Sequence, residues 1–281
     1  MDTIEKRNIR TLVKLKDLWE SNIVANKPYI KHDVGELWND SQMINGCLIA
    51  ASPSLKDNIP EIKGRHIVDI DGISSSMSSP LEICVVDMAA KYLIDNGIKP
   101  DYVICCESKP EASKMLDFDC DSPLICDVMT NPEIVKRWKG EKYFFISNNP
   151  CIDLDNHNQT FSERHKRLSG ISTMLTLGGN VGSAGLAFLL SVRNCRRLYL
   201  YGHEFCWEKD GDFYCGGVQK EMAMKRIKTE QQAGTLYEKK DINGKEVYTN
   251  LSLVTFLNWY KDIMNQYPDV IINRTGAGLL H

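Results

Sequence analysis

In 281 residues there is no run of about 18 apolar side chains, which removes the ordinary transmembrane helix. Residues 1–20, MDTIEKRNIRTLVKLKDLWE, mix charge with apolar residues and do not build the apolar block of a secretory leader, so a cytoplasmic location is expected. No charge of one sign prevails: 34 Lys and Arg face 37 Asp and Glu, a formal net charge of −3, with no basic excess to suit nucleic acid. Ten cysteines include no C-x-x-C pair. Cys105 and Cys106 are adjacent, Cys120 and Cys126 six apart, Cys206 and Cys215 nine apart, spacings that suit neither zinc nor a disulfide framework. Several thiols sit inside apolar runs, where they read as small core hydrophobes of a reducing compartment. Neither G-x-x-x-x-G-K-[ST] nor G-x-G-x-x-G occurs, which sets aside P-loop enzymes and disfavours dinucleotide-binding dehydrogenases. Internal repeats and low-complexity tracts are absent.

What is there is a rhythm. A chain of this length with 43% hydrophobic residues can bury a full core. From residue 46, short apolar runs alternate with amphipathic segments. The runs are CLIAA (47–51), HIVDI (66–70), ICVVD (83–87), YVICC (102–106), PLICD (123–127), KYFFIS (142–147), RLYLY (197–201) and DVIIN (269–273). Between them lie MAAKYLIDNG (88–97), PEIVKRWKG (132–140) and a long helical stretch from Asn250 to Asn265. Continuous apolar strands separated by helices imply an α/β fold: a doubly wound, mostly parallel Rossmann-like sheet with helices on both faces. Gly97 and Gly140 follow their helices where a left-handed residue is wanted.

Ile9, Leu12, Leu15 and Leu18 with Trp19 recur at helical spacing and predict an N-terminal helical extension over residues 1–45, ahead of the main domain over 46–281. Polar stretches interrupt the rhythm at 72–80 (GISSSMSSP), 151–170 and 203–246. The last is an insertion with CWEKDGDFYCGG, a Lys/Glu-rich helix-like piece and an Asn243-Gly244 turn signal, placed where lids and substrate walls occur.

Ligands of open parallel sheets bind outside the carboxyl ends of the strands, beside helix N-termini. That rule gathers Asp87, Glu107, Asp127 and Gly202-His203-Glu204 on one rim, each following an apolar run. Ser52-Pro53-Ser54 joins them with two hydroxyls and free backbone N–H groups, suited to phosphate; a capped turn without ligand explains it equally. Helix capping is the alternative for Asp87 and Asp127. A second phosphate candidate is Gly178-Gly179-Asn180 ahead of a helix of small residues, with close helix packing as the competing explanation.

ASPSL (51–55), VVDMAAKYLIDNGIKPDYVICCES (85–108), YFFISN (143–148), GGNVGSAGLAFLL (178–190), LYLYGHEF (198–205) and residues 246–278 follow one another as in a known family. Over 46–281 the chain resembles the 6-hydroxymethylpterin diphosphokinase MptE-like family, which includes central domains of bacterial motility accessory factors and has a sheet similar to that of bacterial sialyltransferases. The resemblance implies a Rossmann-type nucleotide-binding domain. In it Ser52 and Ser54, flanking Pro53, would meet phosphate or ribose, Asp87 and Glu107 would line the nucleotide, and Gly179 with Asn180 would hold phosphates. Three departures stand out: Ala51 replaces a usual glycine, Glu107 an aspartate, and His203-Glu204 a Gln-Asp pair. Asp71 competes with Asp87 for the role of strand-end acid.

The leading expectation is pyrophosphoryl transfer from ATP to a reduced hydroxymethylpterin, with Asp87, Glu107 and Asp127 as catalytic carboxylates and Asp87 and Glu107 as ligands of Mg²⁺. The alternative is glycosyl transfer from a CMP-sugar, with His203 as base, Glu204 beside it, and Trp207, Phe213 and Tyr214 facing a sugar acceptor. A nucleotide-binding module without turnover is the third. The expected partners are a nucleotide and a small-molecule or sugar acceptor, with no nucleic acid and no membrane span; a homo-oligomer is compatible with all three.

Overall fold

Apolar runs become strands wherever a polar residue ends them and a helix can return over the sheet. In the computed structural model, which describes residues 3–40, 44–70, 81–148, 159–209, 214–217 and 220–281, these strands are β1 (His32–Asp33), β2 (Asn45–Ile49), β3 (Leu81–Val86), β4 (Tyr102–Cys105), β5 (Leu124–Asp127), β6 (Lys142–Ser147), β7 (Met174–Leu175) and β8 (Arg197–Tyr201). A short three-strand unit follows: β9 (Trp207–Glu208), β10 (Leu236–Lys240) and β11 (Glu246–Asn250), before β12 (Ile271–Asn273). The helices are α1 (Thr3–Asn26), α2 (Leu55–Ile70), α3 (Asp87–Asp95), α4 (Pro132–Arg137), α5 (Phe161–Ser169), α6 (Val181–Ala187), α7 (Lys220–Gln232) and α8 (Leu251–Gln266).

The main sheet is parallel, in the order β1-β6-β5-β4-β3-β2-β8-β12, with β7 paired to β6. Its registers set Leu48 beside Cys84 and Leu200, and Ile49 beside Val85 and Tyr201. Strand alternation sends these two rows to opposite faces. The Leu48 row receives α6, where a Cβ at Gly185 would run into Leu48 Cδ1. The other face receives α2: Glu61 accepts from the Tyr201 hydroxyl at 3.0 Å, and the Arg65 guanidinium lies 4.3 Å from the centre of the Tyr199 ring. Both faces are thereby covered, as the continuous apolar runs require.

The N-terminal segment is built into this layer. β1 pairs with β6, and α1 is sewn to the loops after β4 and β5 by two buried amides. Asn22 Nδ2 donates to the carbonyls of Ser108 and Met129, and Asn26 Nδ2 to those of Val128 and Thr130, at 2.7–3.0 Å.

Two expectations need correction. HIVDI (66–70) is no strand; it forms the last turns of α2. Leu55, Ile59 and Ile62, all buried, begin a helical period that carries on into it, and a five-residue apolar run does not by itself distinguish strand from helix. GISSSMSSP lies outside the described residues. Gly140 does not adopt a positive φ, whereas Gly97 does, at 76°. Gly140 is instead pressed on the backbone of Ser122 and Asp121, leaving no room for a Cβ.

The second sheet, β10-β11-β9, is antiparallel. Its hairpin closes at the expected turn, where Asp241 Oδ1 accepts from Asn243 and Lys245 N–H and Gly244 takes φ 79°. The thiols of all described cysteines are free, and all but Cys106 are buried. Among the described residues, no helix is long and apolar enough to cross a membrane.

Candidate functional site

Strands β2 to β6 step outward in one direction, while β8 and β12 fill the other side of β2. The order therefore reverses between β2 and β8, the point at which ligands of open parallel sheets bind. The loops leaving those strands carry Ser52-Pro53-Ser54 and Gly202-His203-Glu204.

The β2–β8 ladder continues past both strands. Ala50 N–H donates to Tyr201 O at 2.9 Å and Ser52 N–H to Gly202 O at 3.3 Å. Gly202, at φ 71°, lies so close to Ala50 O that no side chain fits. Beyond it the Ser54 N–H donates to Glu204 Oε1 at 2.8 Å, and the Glu204 N–H to Ser52 Oγ at 3.3 Å. The N–H groups of the turn, expected to be free for phosphate, are thus engaged: a carboxylate occupies the place of the anion. Burial raises the Glu204 pKa, opposed by the hydroxyl and N–H of Ser54.

Glu204 is held from behind. Leu279 N–H donates to Glu204 O at 2.8 Å, Gly278 is packed on its Cα, and His203 N–H donates to Thr275 Oγ1 at 3.1 Å. The next residue, Phe205, takes φ 57°, a left-handed conformation that a bulky residue adopts only when its surroundings impose it. Thr249 Oγ1 donates to its carbonyl at 3.0 Å. The chain therefore stores local strain where it presents His203 and Glu204.

His203 is buried, and burial pushes its pKa down to about 4, partly offset by a hydrogen bond to the Leu48 backbone. Nε2 has no partner. Over the ring sits the first turn of α6: a Cβ at Gly182 would stand 3.3 Å from His203 Cε1, 2.7 Å from Tyr260 Oη and 3.6 Å from Asn180 Oδ1. Glu204 is thus bonded to the serine turn while its neighbour His203 lies against the α6 tip.

At that tip, Asn180 Oδ1 accepts from Ser183 N–H at 2.7 Å, while Ser183 Oγ accepts from Gly178 N–H at 2.8 Å. Gly178 and Gly179 are pressed on Trp259 and Phe256 of α8. Close packing explains this doublet, and the cap is internally satisfied.

Asp87 opens α3 beside the serine turn. Its Oδ1 accepts from Met88 N–H at 2.7 Å. Burial raises its pKa to about 6; Met88 and Cys105 oppose this, and the Glu107 charge adds to it. Glu107, at the end of β4, is partly exposed and accepts from Lys109 N–H at 3.1 Å. The insertion reaches over this pair: Cys215 N–H donates to Ala51 O at 2.7 Å, Gly216 rests on Tyr92, and Tyr214 feels the charges of both Asp87 and Glu107. Phe213 lies outside the described residues, as does Asp71. Trp207 packs away from the rim, against Ile227 and beneath Arg226.

Asp127 behaves differently. It accepts from Met129 N–H and Ser147 N–H, both at 3.0 Å, and from the Ser147 hydroxyl. Fully buried, with burial raising its pKa to about 6, it ties β5 to β6 and has its oxygens engaged there. Among the described residues, no three His, Cys, Asp or Glu side chains converge as a metal cluster; Asp87 and Glu107 form a pair. Tyr260 was not foreseen, because its place in the apolar stripe of α8 reads as ordinary core.

The model of the family described as 6-hydroxymethylpterin diphosphokinase MptE-like matches residues 21–210. The chain belongs to the MptE-like family. The match takes in the last six residues of α1, β1 and every rim loop up to His203-Glu204. A search of the curated proteins found no match. Among solved structures, this MptE-like chain is similar to the MAf glycosyltransferase from Magnetospirillum magneticum AMB-1, with a TM-score of 0.61 and 17% identity over 94% of this chain and 37% of that one. At this identity the likeness is one of fold, and the chain spans little more than a third of that protein's length.

Proposed function

We propose that this MptE-like protein is a nucleotide-dependent transferase working past the carboxyl ends of β2 and β8, and that it passes a diphosphoryl group from a magnesium nucleotide to an alcohol. One observation carries this reading: Ser52, Ser54, Asp87, Glu107, His203 and Glu204 end adjacent strands of one parallel sheet, at the point where its strand order reverses. Asp87 and Glu107 suit Mg²⁺. A buried carboxylate whose pKa is raised by burial and by a neighbouring carboxylate gains from a cation, and Mg²⁺ takes one or two such oxygens, leaving room for water and phosphate. When bound, the ion would neutralise charge between the phosphates. Tyr214 would exclude water above the pair, and Glu204 would release the Ser54 N–H to a phosphate oxygen.

Glycosyl transfer from a CMP-sugar is the second reading, favoured by the fold shared with a MAf glycosyltransferase along 94% of the chain. One experiment separates them. The protein is incubated with ATP, Mg²⁺ and 6-hydroxymethyl-dihydropterin, and separately with CMP-sugars. Pterin-dependent AMP supports the first reading, CMP the second, and nucleotide binding without either product leaves a non-catalytic module.

A further inference from the structure

The insertion brings cations to a rim of carboxylates. Asp87, Glu107 and Glu204 are acidic, and Lys245, the cation that Glu204 feels, is held by Glu208 at 2.7 Å. A nucleotide with several phosphates carries more negative charge than one Mg²⁺ cancels, so a further cation is wanted beside such a rim.

The candidate is Arg226, on α7. Its guanidinium lies 5.6 Å from the centre of the Trp207 ring, which is buried with Ile227, and Tyr214 packs against the same small cluster. Trp207, turned from the rim, is thus the platform that fixes the arginine. The residues after Tyr214 are tied to the rim itself. Cys215 N–H donates to Ala51 O at 2.7 Å, and a Cβ at Gly216 would stand 3.1 Å from the Tyr92 ring of α3, the helix that Asp87 opens. Tyr214 links the two sides: the charges of Arg226, Asp87 and Glu107 all act on it.

This guanidinium is not spent inside the protein. Glu230 lies 3.7 Å from its Nε, beyond hydrogen-bond reach. Both Glu230 oxygens are engaged elsewhere, Oε1 by Asn250 Nδ2 and Oε2 by the Thr235 hydroxyl, each at 2.7 Å. Arg226 and the exposed Lys225 line an open cavity of about 610 Å³, completed by Thr229, Glu230, Ala233 and Thr235. A cavity of that size has room for a small ligand, and two adjacent cations select an oxyanion.

We propose that Arg226, with Lys225 beside it, binds the terminal phosphate of the nucleotide donor. The assignment rests on the diphosphoryl-transfer reading above. Asp87 and Glu107 take the metal side of the phosphate chain. Across Tyr214, the planar guanidinium offers two parallel N–H groups to the outermost phosphate, a geometry that lysine does not reproduce. Holding the chain at both ends keeps the transferred group aligned with its acceptor.

The test measures binding of ATP, AMP and inorganic tripolyphosphate, each with Mg²⁺, to the full-length protein by calorimetry. Arg226→Gln should weaken ATP and tripolyphosphate about tenfold and leave AMP unchanged, because AMP lacks the terminal phosphate. Arg226→Lys should fall between the parent and the glutamine variant. Lys225→Gln, a change at an exposed position that leaves the fold intact, should weaken ATP about threefold. ATP bound equally by the parent and both glutamine variants overturns the site. So does an equal loss of ATP and AMP, which a displaced insertion would produce. AMP release in the presence of 6-hydroxymethyl-dihydropterin is scored separately. Release as fast in Arg226→Gln as in the parent sinks the arginine site alone, ATP held through Arg226 without release sinks the transfer reading alone, and a parent that binds no ATP sinks both.

Discussion

The Ser54 backbone N–H and the Glu204 carboxylate, 150 residues apart in sequence, meet at 2.8 Å past the carboxyl ends of β2 and β8. An acidic side chain thereby fills a turn whose composition suits a phosphate. Replacing Glu204 with alanine should uncover that N–H. The variant is expected to bind inorganic phosphate or pyrophosphate at least about tenfold more tightly than the parent, an effect of one charge-assisted hydrogen bond plus one removed repulsion. Isothermal calorimetry decides it, and equal affinities would place phosphate recognition elsewhere.

Asp87 sets a pH dependence. Its folded pKa of about 6 lies above the value of about 3.9 expected in the unfolded chain. Between these values the folded state binds more protons, so the contribution of Asp87 to stability declines as pH rises from about 4 to about 6 and stays low above that. Asp87→Asn should therefore stabilise the protein at pH 7.5 by about 2–3 kcal/mol and leave it nearly unchanged at pH 4. Urea unfolding at both pH values measures the difference. The same variant should lose transfer activity.

Gly182→Ala should reverse the usual effect of that substitution. An exposed helical glycine gains about 1 kcal/mol on becoming alanine. Here the added methyl would stand 2.7 Å from Tyr260 Oη, and overpacking costs about 1–3 kcal/mol. Thermal melts should show a lower midpoint, and a higher one would mean that the α6 tip moves freely.

Asn26→Ala should destabilise the chain by about 2–3 kcal/mol, because two buried carbonyls, those of Val128 and Thr130, lose their donor. Denaturant titration checks the size. An effect below about 0.5 kcal/mol, the range of ordinary surface substitutions, would show that α1 is not integral to the rim.

Much of this was legible along the chain. KYFFIS and RLYLY are strands to the residue, since short runs rich in aromatic and aliphatic side chains suit a strand covered on both sides. The rule that strand ends gather ligands placed Asp87, Glu107, His203 and Glu204 near the serine turn. HIVDI was misread because its composition is that of a strand, while the helical period that claims it begins at Leu55. Asp127 carried the same local signal as Asp87, yet Ser147, on the neighbouring strand, engages its oxygens.

By itself the sequence determined most strands of the main sheet, that the sheet is parallel, and which side chains end those strands, because these depend on local periodicity and on residues that begin or end an element. Only the tertiary structure decided what those side chains do. Ser54 finds Glu204, Tyr260 meets Gly182 and Asp127 is taken by Ser147 through contacts between residues far apart in the chain. Whether a buried polar atom is paired or left waiting is a property of the packed neighbourhood, which local periodicity does not encode.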